Sequence, residues 1–98
     1  STSAVPMSYE LMQNYPNPFN PSTSIGFSLP QTGHVTVNVY DMTGRLVSTL
    51  VNNVLNEGAH VVDWNGQDNF GDVVSAGVYI YSLESSDMIM TKKMIFLK

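Results

Sequence analysis

Cysteine is absent from the 98 residues, which removes disulfide frameworks and thiolate metal sites from consideration. Positive charge is nearly absent too: four Lys plus Arg stand against eight Asp plus Glu, for a formal net charge of −4. So few cations cannot neutralise a run of phosphates, and nucleic acid is not an expected partner. No stretch approaches 18 uninterrupted apolar residues and no basic-then-apolar leader opens the sequence, so membrane insertion is not expected either. Charged residues make up only 12% while 43% are hydrophobic. That balance carries too much apolar material and too little self-repulsion for a disordered chain. A chain of this length has room for one modest core and none to spare for a deep catalytic cleft, so an enzyme is not expected.

The few cations are unevenly placed. Residues 1–88 hold Arg45 alone against all eight acids, whereas residues 89–98 hold Lys92, Lys93 and Lys98 and no acid. The chain starts at Ser1, and residues 1–8 (Ser-Thr-Ser-Ala-Val-Pro-Met-Ser) have the small, polar composition of a linker. The expectation is a linker at 1–8 from a preceding domain and one folded domain at 9–98.

Three prolines in Tyr15-Pro16-Asn17-Pro18-Phe19-Asn20-Pro21 forbid a helix and impose an extended strap, which Tyr15 and Phe19 are placed to latch onto a core. From Ser24 the hydrophobic period is two. Ile25, Phe27 and Leu29 alternate with polar or small residues, and after Pro30 to Gly33 the pattern resumes with Val35, Val37 and Val39. Asp41-Met42-Thr43-Gly44 has the Asp-first, Gly-fourth signature of a type I turn. The turn predicts a return strand over Arg45 to Asn52, although apolar positions 46, 47, 50 and 51 also suit a helix. A loop is expected over Asn52 to Gly58, then a strand through His60, Val62 and Trp64, and a long turn over Asn65 to Asp72. Strands follow at Gly77 to Leu83 and Met88 to Leu97. The fold class this predicts is all-β: a small antiparallel immunoglobulin-like sandwich of six or seven strands with no substantial helix.

The chemistry on offer is thin. The two histidines, His34 and His60, have no cysteine and no clustered third ligand beside them, and no nucleophile, base and acid set is recognisable. No cofactor is expected. Asp63, Asn65 and Asp68 offer oxygen ligands at short spacing for calcium, but the segment lacks the bidentate Glu of an EF-hand loop and reads better as a turn. Tyr79 and Tyr81 share one face of a strand. On a solvent-facing sheet they would stack on sugar rings and make the chain a carbohydrate-binding or accessory module of a secreted enzyme; inside a sandwich they are core. The ending Thr91 to Lys98 is either an edge strand protected by its lysines or a recognition strand for a partner's sheet.

Five segments in order carry a resemblance. They are Asn14-Tyr-Pro-Asn-Pro-Phe-Asn-Pro-Ser-Thr23, Val39-Tyr-Asp-Met-Thr-Gly-Arg45, Val62-Asp-Trp-Asn-Gly-Gln-Asp68, Ser75-Ala-Gly-Val-Tyr-Ile-Tyr81 and Thr91-Lys-Lys-Met-Ile-Phe-Leu-Lys98. Together they resemble the type A C-terminal sorting domain of the type IX secretion system, and are similar to the immunoglobulin-like domain of the flagellar hook-capping protein. The resemblance covers about residues 9–98 and departs at Asn65, where relatives commonly carry Asp. It implies a non-catalytic domain at the C-terminus of exported Bacteroidetes-Chlorobi proteins. Such a domain directs its N-terminal cargo from the periplasm through an outer-membrane translocon for release or surface attachment, often with cleavage by a sortase-like peptidase. On this resemblance the signal positions are Gly77, Tyr79, Lys92, Lys93, Met94, Ile95 and Lys98. The mechanism it suggests is backbone pairing by the last strand, with the lysines setting register.

Overall fold

The computed structural model describes residues 7–98, so the expected linker lies outside it except for exposed Met7 and Ser8. Seven strands form two antiparallel sheets and no helix occurs among these residues: β1 (Glu10–Leu11), β2 (Thr23–Leu29), β3 (Gly33–Tyr40), β4 (Leu46–Leu55), β5 (Gly58–Trp64), β6 (Gly77–Glu84) and β7 (Ile89–Phe96). One sheet has the order β1-β2-β5 and the other β4-β3-β6-β7. This is the immunoglobulin-like sandwich that the period-two patterning predicts.

Alternation decides what is inside. On β2, Ile25, Phe27 and Leu29 are buried, and on β3, Val35, Val37 and Val39 face them across the sandwich. The Asp41 turn forms as its residues require. Asp41 Oδ1 accepts the Thr43 and Arg45 backbone N–H groups and the Thr43 hydroxyl, and Gly44 takes φ +90°. That turn makes residues 46–55 a strand rather than a helix. β4 also runs to Leu55, beyond the expected end at Asn52, because it stays paired with β3 until Leu55 meets Gly33. Its two register shifts against β3 explain the irregular apolar spacing that the sequence shows there.

The proline strap lies along one end of the sandwich, with cis peptide bonds before Pro16, Pro18 and Pro21. Of its two candidate latches only Phe19 is one. Its ring is 1% exposed and packs on Phe96 at 4.9 Å and Trp64 at 5.6 Å, whereas Tyr15 is 81% exposed. Trp64 also meets the edge of Tyr79 at 5.3 Å, so the strap, β5, β6 and β7 share one aromatic cluster. Gly66 allows this packing, since it holds φ +76° and a Cβ there would stand 2.7 Å from the Phe96 ring.

Candidate functional site

The cation-bearing last strand lies at the edge of the four-stranded sheet, paired with β6 from Gly77↔Phe96 to Glu84↔Ile89. An edge strand normally offers its outer N–H and C=O groups to a partner. Here the strap has already taken those of the C-terminal half. Phe19 N–H donates to the Ile95 carbonyl and the Leu97 N–H donates to the Phe19 carbonyl, both at 2.9 Å, in a parallel bridge opposite Phe96. Two amide side chains extend this: Asn17 Oδ1 accepts the Ile95 N–H at 2.9 Å, and Gln13 Nε2 donates to the Lys93 carbonyl at 2.7 Å. Asn and Gln thus act as a substitute neighbouring strand. The expectation of backbone pairing along the ending is corrected at the Lys93 carbonyl, at Ile95 and at the Leu97 N–H, which are engaged internally.

The strap is itself anchored. Buried Asn14 donates from its backbone N–H to the Tyr81 hydroxyl at 2.9 Å and from Nδ2 to Thr23 Oγ1 and the Pro16 carbonyl. Thr23 Oγ1 donates to the same Pro16 carbonyl, and the Tyr81 hydroxyl donates to the Met12 carbonyl at 2.6 Å. The buried polar groups of Asn14, Thr23 and Tyr81 therefore keep their partners while the strap holds its course.

Side chains of the signal positions divide by face. Tyr79 and Met94 stand opposite each other and are buried, and Gly77 begins β6 opposite Phe96. Lys92 pairs with core Tyr81 and is half-buried. Lys93 and Ile95 turn to the outer face beside Ile80 and Val78, and Lys98 is exposed just past the strand. The strand therefore presents Lys93, Ile95 and Lys98, while Met94 and Phe96 fasten it to the core.

Tyr79 and Tyr81 do not form a ligand platform. They are 6% and 0% exposed, and both hydroxyls are used internally, that of Tyr79 on the Ser75 carbonyl at 2.6 Å. Burial pushes both phenol pKa values above the ordinary tyrosine value; the Asp41 charge adds to this for Tyr79, and the hydrogen bond from Asn14 offsets it in part for Tyr81. The calcium candidates also disperse into local turns. Asp63 Oδ1 accepts the Ser24 hydroxyl, Asn65 Oδ1 accepts the Gln67 N–H, and Asp68 Oδ1 accepts the N–H groups of Phe70 and Asp72. Among the described residues no three His, Cys, Asp or Glu side chains gather where a metal ion could sit.

The histidines are on different sheets, His34 exposed on β3 and His60 on β5 with its ring against Phe27 at 5.4 Å. A concavity of about 610 Å³ opens between the 41–45 turn and the 66–75 loop. The carboxylate of Asp41 in its wall is spent on the turn. The Thr43 hydroxyl first, then the Arg45 N–H, hold its pKa below the usual value. Sequence reasoning missed Gln13, Asn14 and Asn17 as working residues. The one signal for them was the presence of amide side chains in and just before the proline strap.

Comparison with solved structures returns the same sandwich. PorU from Porphyromonas gingivalis, in its dimeric latent form, matches with a TM-score of 0.71 and 24% identity over 91% of this chain and 9% of that one. PorZ, a bacterial surface component of the type-IX secretion system of the same organism, matches with a TM-score of 0.61 and 22% identity over 88% of this chain and 11% of that one. Below 25% identity these likenesses are of fold. FlgD from P. aeruginosa matches with a TM-score of 0.60 and 26% identity over 76% of this chain and 58% of that one. The chain thus spans a small part of the first two proteins and just over half of the third. No curated protein sequence matches it. The model of the FlgD Ig-like domain covers residues 16–88, from the strap through β6 and so most of the chain, and the chain belongs to the FlgD Ig-like domain family.

Proposed function

We propose that this domain is a non-catalytic C-terminal sorting domain that addresses an N-terminal cargo to the type IX secretion system. The cargo is exported through the periplasm and then released or held at the outer-membrane surface. The five ordered motifs support this reading, as does the fold shared with PorU and with PorZ, itself a surface component of that system. The observation that carries it is the last strand. Three of the four cations lie in residues 89–98, two on and one just past a strand fastened by β6 on one side and, over its C-terminal half, by the strap on the other. Lys93 and Ile95 face outward from it. A partner meets a rigid surface of fixed register, and its ordering cost is already met by the fold. The partners are the outer-membrane translocon and, where cargo is processed, a sortase-like peptidase. With the Lys93 carbonyl, both backbone groups of Ile95 and the Leu97 N–H occupied, recognition at this end of the strand falls to the side chains of Lys93, Ile95 and Lys98.

The test is a periplasmic reporter fused ahead of residues 9–98 in a host with the translocon. Replacing both Lys93 and Ile95 by Ala leaves the core intact and is expected to cut export at least tenfold. Unchanged export by that double variant, shown to be folded, refutes the assignment. Removing residues 94–98 is the poorer experiment because it also deletes buried Met94 and Phe96. The family match and the 26% identity with FlgD favour a second reading, a structural module like the hook-capping protein's domain. Export of the fusion that is indifferent to the translocon supports that reading instead.

A further inference from the structure

The chain covers parts of its sheet edges with its own side chains and strap backbone. On the C-terminal half of β7 the Gln13 and Asn17 side chains and the Phe19 backbone do this, while the outward groups of Ile89 and Thr91 stay open among the described residues. On β4, Asn69 bonds the Val47 carbonyl through its N–H and the Thr49 N–H through Oδ1, and Asn53 Oδ1 accepts the Val54 N–H. At the other edge of the three-stranded sheet β1 is only two residues long, which blunts it.

β5 is the edge left open along its whole length. Ser24 and Gly26 of β2 direct their backbone groups to Tyr15 and Met12. Thr23, Ile25, Phe27 and Leu29 therefore bond β5, at Trp64, Val62, His60 and Gly58. Alternation then turns the N–H and C=O groups of Ala59, Val61 and Asp63 outward, where they have no partner among the described residues. This edge has no lysine, proline or bulge to discourage pairing, and at its middle Val61 is 70% exposed.

We infer that β5 is a self-association edge, pairing antiparallel with β5 of a second copy about a two-fold axis at Val61. Centred there, Val61 lies opposite Val61 of the partner subunit, and Ala59 lies opposite Asp63 of the partner subunit. All three open residues on each copy find partners. No acid faces an acid, and the two exposed valines cover each other. Moving the axis towards either end loses a pair, and moving it to Asp63 sets carboxylate against carboxylate. A cleft of about 380 Å³ between β5 and β4, lined by Phe27, Leu50, Val51, Leu55, His60 and Val62, receives the inward-facing His60 and Val62 of the partner subunit. The two open edges join into one continuous sheet. Each chain carries a net charge of −4, so the contact tightens as salt screens the repulsion.

Sedimentation equilibrium of the 98-residue chain from about 10 µM to about 1 mM, at low and moderate salt, tests this. The mass is expected to rise with concentration from 10.8 kDa towards twice that value, more readily with salt. Val61→Pro removes an outward N–H that no internal bond uses, and Val61→Lys sets two cations at the axis. Each is expected to weaken association at least tenfold. Should the proline variant not fold, as judged by Trp64 fluorescence, the lysine variant decides alone. A wild-type chain that stays monomeric throughout, or folded variants that associate as well as it does, overturns the inference.

Discussion

Phe19 and Tyr15 are two aromatic residues of one proline motif, four positions apart, and the fold assigns them opposite weights. Truncating Phe19 to Ala removes a ring that is 1% exposed and stacked on Phe96 and near Trp64. A side chain of that size buries roughly 200 Å², which at about 25 cal/mol per Å² sets an upper bound near ~5 kcal/mol. Buried Phe-to-Ala changes cost about 3–5 kcal/mol once the cavity is counted. A domain of this length holds about 5–15 kcal/mol in total and loses about 4–8 °C in Tm per kcal/mol. Phe19→Ala should therefore lower Tm by about 12–40 °C. Tyr15→Ala removes a ring that is 81% exposed and keeps the backbone bonds of Tyr15 to Ser24, so it should cost under about 1 kcal/mol. Urea titrations followed by the fluorescence of Trp64, the only tryptophan, measure both. Equal costs for the two variants, or less than about 1 kcal/mol for Phe19→Ala, would refute the claim that the strap is welded through Phe19.

Tyr81→Phe removes a hydroxyl that bonds both the Met12 carbonyl and the Asn14 N–H. It should cost about 1–3 kcal/mol in the same titration, as a buried polar group loses its partner. Gly66→Ala adds a Cβ 2.7 Å from the Phe96 ring at φ +76°, and should lower stability by more than about 1 kcal/mol through strain and displaced packing. Tyr79 and Tyr81 have raised folded-state pKa values, so the unfolded chain ionises first as pH climbs. Their contribution is full below the ordinary tyrosine pKa of about 10 and is lost as pH rises through the raised values. Tm should fall steeply above about pH 10, and by less in Tyr79→Phe; an equal fall in that variant would remove Tyr79 from the explanation.

The strands were legible because burial on one face of a sheet writes itself as alternation, as in Ile25-Gly-Phe-Ser-Leu29. The Asp41 to Gly44 turn was legible for a related reason: its hydrogen bonds join neighbours in the chain. β4 was harder to read, because its register shifts against β3 break the period. The site was less legible than the fold. Alternation says that Tyr79 and Tyr81 share a face and is silent on which way that face points. Asn17 and Gln13 earn their places by bonding residues 78 and 80 positions away.

The all-β class, the main turns and the concentration of cations in the last ten residues are written in local backbone preference, period and composition, which need no partner to be read. That the tyrosines are core, that the strap occupies the outer edge of the C-terminal half of β7, and that Lys93 and Ile95 face outward follows from the assembled fold alone. The same fold leaves β5 open along its length. Each of these depends on which distant segment supplies the other half of a hydrogen bond or a packed surface, and that pairing is set by the sandwich as a whole.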